Sequence, residues 1–179
     1  MTKAIHTEFW LRGPVPGIPS LLQPVAHALL QACQEVNDLM TAFPDTLLWQ
    51  RIAGVASPGF HFQHLAGVLD RLFSYARDKA LNETQLADLS TEGTPAEGQS
   101  SVAQLLNRFN IQIDKALEQI GETSEQSLTT LRHVGRARLP STVGGLLFHA
   151  AEHTQRHTGQ LLVTARILMA QNQLSEGAS

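Results

Sequence analysis

Four stretches of the chain repeat apolar residues at the three- and four-residue spacing of an amphipathic α-helix. Prolines mark the start of the first two, with Pro24 in an opening turn and Ser57 as an N-cap before Pro58. The spacing predicts helices over residues 20–43, 58–80, 101–120 and 140–171, and no stretch shows the alternation of a strand. Such a set of helices predicts an all-α fold, a four-helix bundle.

The remaining segments are interpreted from their composition. Residues 1–19 contain several prolines and glycines and form an N-terminal arm, which Phe9, Trp10 and Leu11 should anchor by packing. Residues 81–100 are polar and long for a link between neighbouring helices, which predicts a crossover connection between distant helix ends. Residues 172–179 are expected to fray. The whole chain, 1–179, is interpreted as one domain.

Composition limits the class of protein. A hydrophobic content of 42% and a charged content of 16% are typical of a globular domain, not of a disordered one. The net charge of −3 provides no general attraction to nucleic acid or to anionic membranes. One cysteine, Cys33, rules out an internal disulfide, and no signal peptide or transmembrane stretch is evident. We therefore expect a soluble, cytoplasmic protein.

Histidines recur at helical spacing in two of the predicted helices. His149, His153 and His157 lie one turn apart in the fourth helix, and the last two interrupt its apolar stripe. His61 and His64 flank the stripe of the second helix. Because facing helices of a bundle project ligands inward, the candidate metal site combines His64 with His153 and His157. The alternative is a set of core histidines with satisfied hydrogen bonds.

Three neutral imidazoles would leave a bound ion with its full charge and an open position. This is the arrangement of catalytic zinc rather than structural zinc. Imidazole also suits nickel, iron and copper, so the expected cofactor is a divalent transition metal, with zinc or nickel preferred. A rival interpretation takes His149, Glu152 and His153 as the HxxEH signature of inverzincin proteases. That class needs a larger chain and a downstream glutamate ligand, and only Glu176 follows.

Two stretches carry a resemblance to a known family. The run His61-Phe-Gln-His64-Leu65 and the run from His149 to Gln160 resemble the DinB-like superfamily, also called DinB/YfiT. The family pattern is one histidine before a leucine, then His-x-x-x-His followed by x-Gly-Gln. The resemblance implies a bundle, often dimeric, with a divalent metal held by His64, His153 and His157. Some relatives are thiol S-transferases or thiol-dependent isomerases that use bacillithiol or mycothiol.

Several other residues are candidates for supporting roles. His61, His149 and Tyr75 could surround the metal or line a pocket, although packing or partial exposure is the simpler interpretation for each. Gly159 costs about 1 kcal/mol relative to alanine inside a helix, which indicates a close helix approach. A basic run before the fourth helix could attract an anionic substrate: Arg132, Arg136 and Arg138.

Two functional classes remain open. In the first, the protein is a metal-dependent enzyme, a thiol S-transferase or a hydrolase, in which the open position activates a thiol or water. In the second, it is a non-catalytic metal-binding or stress-related protein whose ion is structural. The expected partners are a second copy of the chain, forming a homodimer, and a low-molecular-weight thiol or other small-molecule substrate.

Overall fold

A computed structural model describes residues 7–97 and 100–177 of the chain. Within these residues the protein is mostly helical, with one short antiparallel hairpin. The helices are α1 Gln23–Met40, α2 Pro58–Ala76, α3 Glu83–Thr91, α4 Val102–Glu122 and α5 Val143–Glu176; the strands are β1 Leu131–Val134 and β2 Leu139–Thr142. None of the described helices combines the length and the apolarity that crossing a membrane requires.

The four long helices, α1, α2, α4 and α5, form the bundle, as the apolar stripes predict. Helix α2 packs against both α4 and α5, and α1 packs against the same two helices. All the stripe positions of α4 are buried: Val102, Leu105, Phe109, Ile113, Ala116 and Ile120. Burial of these stripes against one another supplies most of the hydrophobic stabilisation of such a domain.

Side-chain caps define where the helices begin. The Ser57 hydroxyl accepts a hydrogen bond from the Phe60 amide, with Pro58 at the first helical position, as predicted. Ser101 and Gln104 form a capping box at the start of α4. Helix α2 ends at Ala76, earlier than predicted, because Asp78 adopts a left-handed conformation with φ of 60°.

The predicted connection over 81–100 contains a further helix, α3, which the sequence analysis did not predict. Asn82 and Gln85 form a capping box at its start. The Gln85 amide also donates hydrogen bonds to the Asp70 carboxylate (2.9 Å) and to the Ser74 hydroxyl (2.8 Å) on α2. Polar caps and docking contacts, rather than an apolar stripe, therefore hold α3 in place.

The prediction that the chain has no strand is wrong at one place. Residues 131–134 pair with 139–142 in an antiparallel hairpin, whose turn contains Gly135 at φ of 66° and Arg138 at φ of 49°. Pro140 consequently lies in β2, and Thr142, not Pro140, caps α5 through the Gly145 amide. The predicted frayed tail is helical as far as Glu176, and residues 178–179 lie outside the described part.

The N-terminal arm packs on α1 in its described part. The Phe9 amide donates to the Gln31 side chain (3.0 Å), and the Arg12 guanidinium lies 3.8 Å from the centre of the Phe9 ring. Trp10 and Leu11 remain 63% and 57% exposed. Hydrogen bonds to Gln31 and Gln34 therefore anchor the arm on α1, the cation–π contact lies within the arm, and two of its large apolar side chains face outwards.

Candidate metal centre

The structure brings together three histidines from two helices. His64 on α2 and His153 and His157 on α5 each place a ring nitrogen within 4.8 Å of the others. The Nε2 atoms of His64 and His153 are 2.8 Å apart, and the rings of His153 and His157 are centred 4.6 Å apart. We refer to His64, His153 and His157 as the three-histidine cluster. Its position follows from the packing of α2 on α5.

Helix α5 presents its two cluster members because they lie four residues apart on the inward face. Leu146 and Ala150 precede them on the same stripe and are buried, as are Leu161 and Leu168 beyond them. His153 and His157 themselves are half-buried. The apolar stripe therefore anchors the helix on either side, and the histidines occupy the break within it.

Glu92, the residue that follows α3, orients His64. Its carboxylate accepts a hydrogen bond from His64 Nδ1 at 2.7 Å and pairs with the Arg71 guanidinium at 2.6 Å. A Cβ at Gly67 would lie 2.6 Å from Arg71 Nη1 and 2.8 Å from a Glu92 oxygen, so the glycine leaves room for this pair. With Nδ1 donating to Glu92, the Nε2 of His64 carries the free lone pair that a metal needs.

His61 contacts His157 of the three-histidine cluster. It is 4% exposed, and its Nδ1 lies 3.1 Å from the Nδ1 of His157. That contact leaves the Nε2 of His157 for a ligand. Phe60 covers the cluster from the same helix, with its ring nearly parallel to that of His64 at 5.4 Å between centroids. His61 is therefore a buried neighbour of the cluster rather than a partly exposed histidine.

Burial disfavours the protonated form of His61, His153 and His157 and lowers the pKa of each. Desolvation, followed by the charge of His64, lowers the pKa of His61 to about 4. Desolvation, followed by the charges of its histidine neighbours and Arg156, lowers the pKa of His157 to about 4. The pKa of His153 is lowered in the same direction, first by burial. Unprotonated imidazoles with free lone pairs are the form that binds metals.

Burial alone would raise the pKa of Glu92. Hydrogen bonds from His64 and Arg71, together with their charges, outweigh it, so the pKa of this carboxyl is lowered. Glu92 is thus an anion hydrogen-bonded to His64, the carboxylate–histidine arrangement that fixes the tautomer and raises the basicity of a ring that could bind a metal.

The donor set fits a divalent transition metal. Nitrogens bound to one tetrahedral Zn²⁺ lie about 3.3 Å apart, a separation that small ring movements within the cluster would reach. The Nδ1 of His153 is buried and has no hydrogen-bond partner among the described residues, so the contacts of this ring are concentrated on its Nε2 side. The three-histidine cluster could therefore hold an ion, although its donors do not identify which one.

An open cavity of about 940 Å³ adjoins the cluster. It lies between α5 and the loop before α2, and His61 and His157 form part of its wall. We refer to this cavity as the α5 groove. Gly159 lies in the same wall, and a Cβ there would meet no atom within 4 Å, so the predicted close helix approach at this glycine is wrong.

Of the remaining candidates, His149 borders the three-histidine cluster, with its ring centred 5.2 Å from that of His153, and Tyr75 lies away from it. His149 is exposed, and its Nδ1 pairs with the Glu152 carboxylate at 2.7 Å. With His153 these two form a second, more exposed group of possible ligands, and the side chain of Glu176 lies outside the described part. Tyr75 lies about 16 Å further along α2 than His64. It lines a different cavity, of about 390 Å³, on the hairpin side.

The basic run does not reach the cluster either. Arg136 and Arg138 line the cavity that contains Tyr75, and Arg138 contacts His133 at 3.1 Å. Arg132 donates to the Ala76 carbonyl at the end of α2. The hairpin therefore carries these arginines to the end of α2 opposite the histidines.

Sequence reasoning missed three residues that the site uses. Glu92 lies in a segment interpreted as a featureless link, and no local pattern indicates its contact with His64. Arg71 follows His64 by seven residues, and Phe60 precedes it by four, so both share its side of α2. That helical spacing could have indicated Arg71 and Phe60, but not Glu92.

Comparison with known proteins agrees with this architecture. A protein of Enterococcus faecalis, described as the conserved protein of its locus, superimposes with a TM-score of 0.66 at 16% identity, covering 85% of this chain and 99% of that one. A DinB-like protein from Bacillus cereus gives a TM-score of 0.57 at 21% identity, covering 80% and 90%. No curated protein matches the sequence. The profile of the DinB superfamily matches residues 28–161, and the chain therefore belongs to the DinB superfamily.

Proposed function

We propose that this protein binds a divalent transition metal, zinc or nickel, through His64, His153 and His157 and is a metal-dependent enzyme. The reaction types that fit are transfer of a thiol to an electrophile and hydrolysis. The observation that carries the proposal is that the three-histidine cluster adjoins the α5 groove, through His157 itself. A ligand site beside a cavity can admit a substrate, whereas a structural site is normally closed.

When bound, the ion would supply Lewis-acid chemistry, lowering the pKa of a thiol or water that approaches it. The residues of the chain hold and orient the donors. Glu92 keeps His64 in the Nδ1-protonated tautomer, and His61 contacts the Nδ1 of His157. Three neutral donors leave the ion its positive charge, and Phe60 shields one side of the site from water.

In the transfer reaction, the sulfur of the thiol forms a bond to an electrophilic carbon, and the bond from that carbon to its leaving group breaks. The thiol proton leaves with the departing group or passes to solvent. In hydrolysis, water replaces the thiol with the same balance. A transferred thiol must be kept reduced, and the proposed location is therefore the cytoplasm. The only cysteine of the chain, Cys33, does not compete as a nucleophile, because it is partly buried and desolvation is the first cause that raises its pKa.

The competing function is a non-catalytic protein in which the ion is structural. The observation that favours it is that the three donors come from two helices, so that an ion would join α2 to α5. A fourth protein ligand would close such a site. The two functions differ in whether a small thiol can reach the ion.

Titration of the cobalt-substituted protein with a small thiol distinguishes the two functions. We expect 2-mercaptoethanol to produce a sulfur–cobalt charge-transfer band in the near-ultraviolet, because the proposed ion keeps an open position. The band should appear with an apparent pKa below that of free 2-mercaptoethanol, because a bound ion stabilises the thiolate. Ethylene glycol, which lacks the sulfur, serves as the control. A protein that binds cobalt but shows no band at millimolar thiol has a closed, structural site.

We further propose that the protein is a homodimer. The exposed apolar side chains of the N-terminal arm, Trp10 and Leu11, support the proposal because a partner could cover them. Light scattering at micromolar concentration should give twice the mass of the chain. The double variant Trp10→Ser and Leu11→Ser should weaken the association, and a wild-type protein that is monomeric under these conditions would contradict the proposal.

A further inference from the structure

We propose that the α5 groove binds the neutral, apolar body of an amphipathic substrate, whose polar head reaches the three-histidine cluster. The inference rests on the proposed function and specifies its substrate class. The groove is large enough for a small molecule, since ligand cavities typically measure about 300–1,000 Å³. Its volume of about 940 Å³ lies at the upper end of that range.

The wall of the groove is apolar where the protein surface is usually polar. Val55, Val163 and Ile167 all line it and are 48%, 57% and 42% exposed. Single exposed apolar residues are ordinary, but several that face one cavity mark a binding surface. Phe60 and Ile52 extend the same wall towards α2.

The groove is continuous with the histidines. The α5 wall runs from Gln155 to Ile167, and His157 lies near its first end, about 15 Å along the helix from Ile167. His61 stands beside His157 in the same wall. An elongated apolar body in the groove therefore has one end at the proposed metal and the other near Ile167.

Gly159 leaves the middle of the α5 wall without a side chain. A glycine inside a helix is less stable than alanine by about 1 kcal/mol, and a Cβ at Gly159 would meet no atom within 4 Å, so no close contact there requires the glycine. A side chain there would project into open space beside Val163. The absence of a side chain widens the groove where the body of the ligand would lie.

The charge of the wall favours a neutral body. Arg156 is the one Lys, Arg, Asp or Glu among the described lining residues, and its guanidinium is paired with the Glu152 carboxylate at 2.7 Å. The groove consequently offers apolar contact without an unpaired charge for an ionic body.

A series of alkyl hydroxamates tests the proposal by binding rather than by activity. Acetohydroxamate, butanohydroxamate, hexanohydroxamate and octanohydroxamate share the chelating head, and their Kd values on the cobalt-substituted protein can be read from the visible spectrum. We expect the Kd to fall about fourfold for each added methylene, the factor typical of a CH₂ group that becomes buried. A Kd independent of chain length overturns the proposal, including the case in which a second copy of the chain fills the groove.

The series also separates this inference from the proposed function. If acetohydroxamate binds and the length of the alkyl chain has no effect on the Kd, the metal has an open position but the α5 groove does not bind the alkyl chain. If no hydroxamate binds, the proposed open position fails. Octanamide then still tests the groove on the metal-free protein, where it should shift the methyl NMR signals of Val163 and Ile167. Unshifted signals at millimolar octanamide overturn the groove assignment by itself.

Gly159→Leu provides the matched variant. Leucine has a better helix propensity than glycine and meets no atom at its Cβ, so the fold should be retained. We expect octanohydroxamate to bind at least tenfold more weakly, because the new side chain occupies the groove. Leu174→Gln, at a position on the same helix that is 76% exposed and does not line the groove, should leave the length dependence unchanged. Equal affinities in wild type and Gly159→Leu would contradict the proposal.

Discussion

Replacing His64, His153 or His157 with alanine is expected to abolish stoichiometric binding of a divalent metal. Each histidine supplies one of the three nitrogens of the cluster, and two imidazoles leave the ion held mainly by water. Elemental analysis of the dialysed proteins measures the effect. His27→Ala is the control, because the His27 ring contacts the Gly13 carbonyl at 3.0 Å, away from the cluster.

The result must be separated from loss of the fold. Circular dichroism of the metal-free variants should match that of the metal-free wild type, since the cluster histidines occupy a break in the apolar stripe rather than the centre of the core. A folded His64→Ala protein that retains one equivalent of metal would show that the proposed site is wrong. Loss of metal from His27→Ala as well would indicate a nonspecific effect.

Replacing Glu92 with glutamine is expected to weaken metal affinity by about 10–100-fold, the range typical when the partner of a ligating histidine is removed. Glutamine keeps the size of the side chain but removes the negative charge that His64 Nδ1 and Arg71 share. The tautomer that presents Nε2 of His64 to the ion is then less favoured. Competition with a chromophoric chelator measures the change in Kd.

The matched control for this variant is Asp88→Asn on α3. Asp88 also forms an ion pair, with Arg108, but it has no contact with the histidines. Its metal affinity should equal that of the wild type. Glu92→Gln also removes the anionic partner of the buried Arg71, which could destabilise the fold and displace α3. Thermal unfolding of the metal-free proteins detects that effect separately from the loss of the His64 partner. An unchanged Kd in folded Glu92→Gln would show that Glu92 does not orient His64.

The bundle and two of its histidines could be predicted from the sequence because the signals are local. Residues that share a face of one helix are separated by three or four positions, so the stripe of α4 and the pair His153 and His157 were identifiable without tertiary information. The cap at Ser57 is local in the same sense, because its partner is the Phe60 amide three residues away.

Helical spacing did not predict the elements that contacts with distant residues stabilise. Helix α3 has nine residues and is held by caps and by bonds from Gln85 to α2, so its periodicity was too weak to predict it. The strands of the hairpin are four residues each, too short to show alternation. The predicted boundary at Pro140 failed because β2 leads directly into α5.

The sequence by itself determined the apolar stripes of the long helices, the inward face of α5 and the pair His153 and His157, because each depends on helical spacing within one element. The tertiary structure alone decided what surrounds them. It placed Glu92 against His64 across 28 positions of sequence and His61 against His157 across 96, and it carried Tyr75 to another cavity. The α5 groove likewise exists only where α5 and the loop before α2 diverge. Such contacts depend on how helices pack, and helical spacing within one segment contains no information about the segment that will face it.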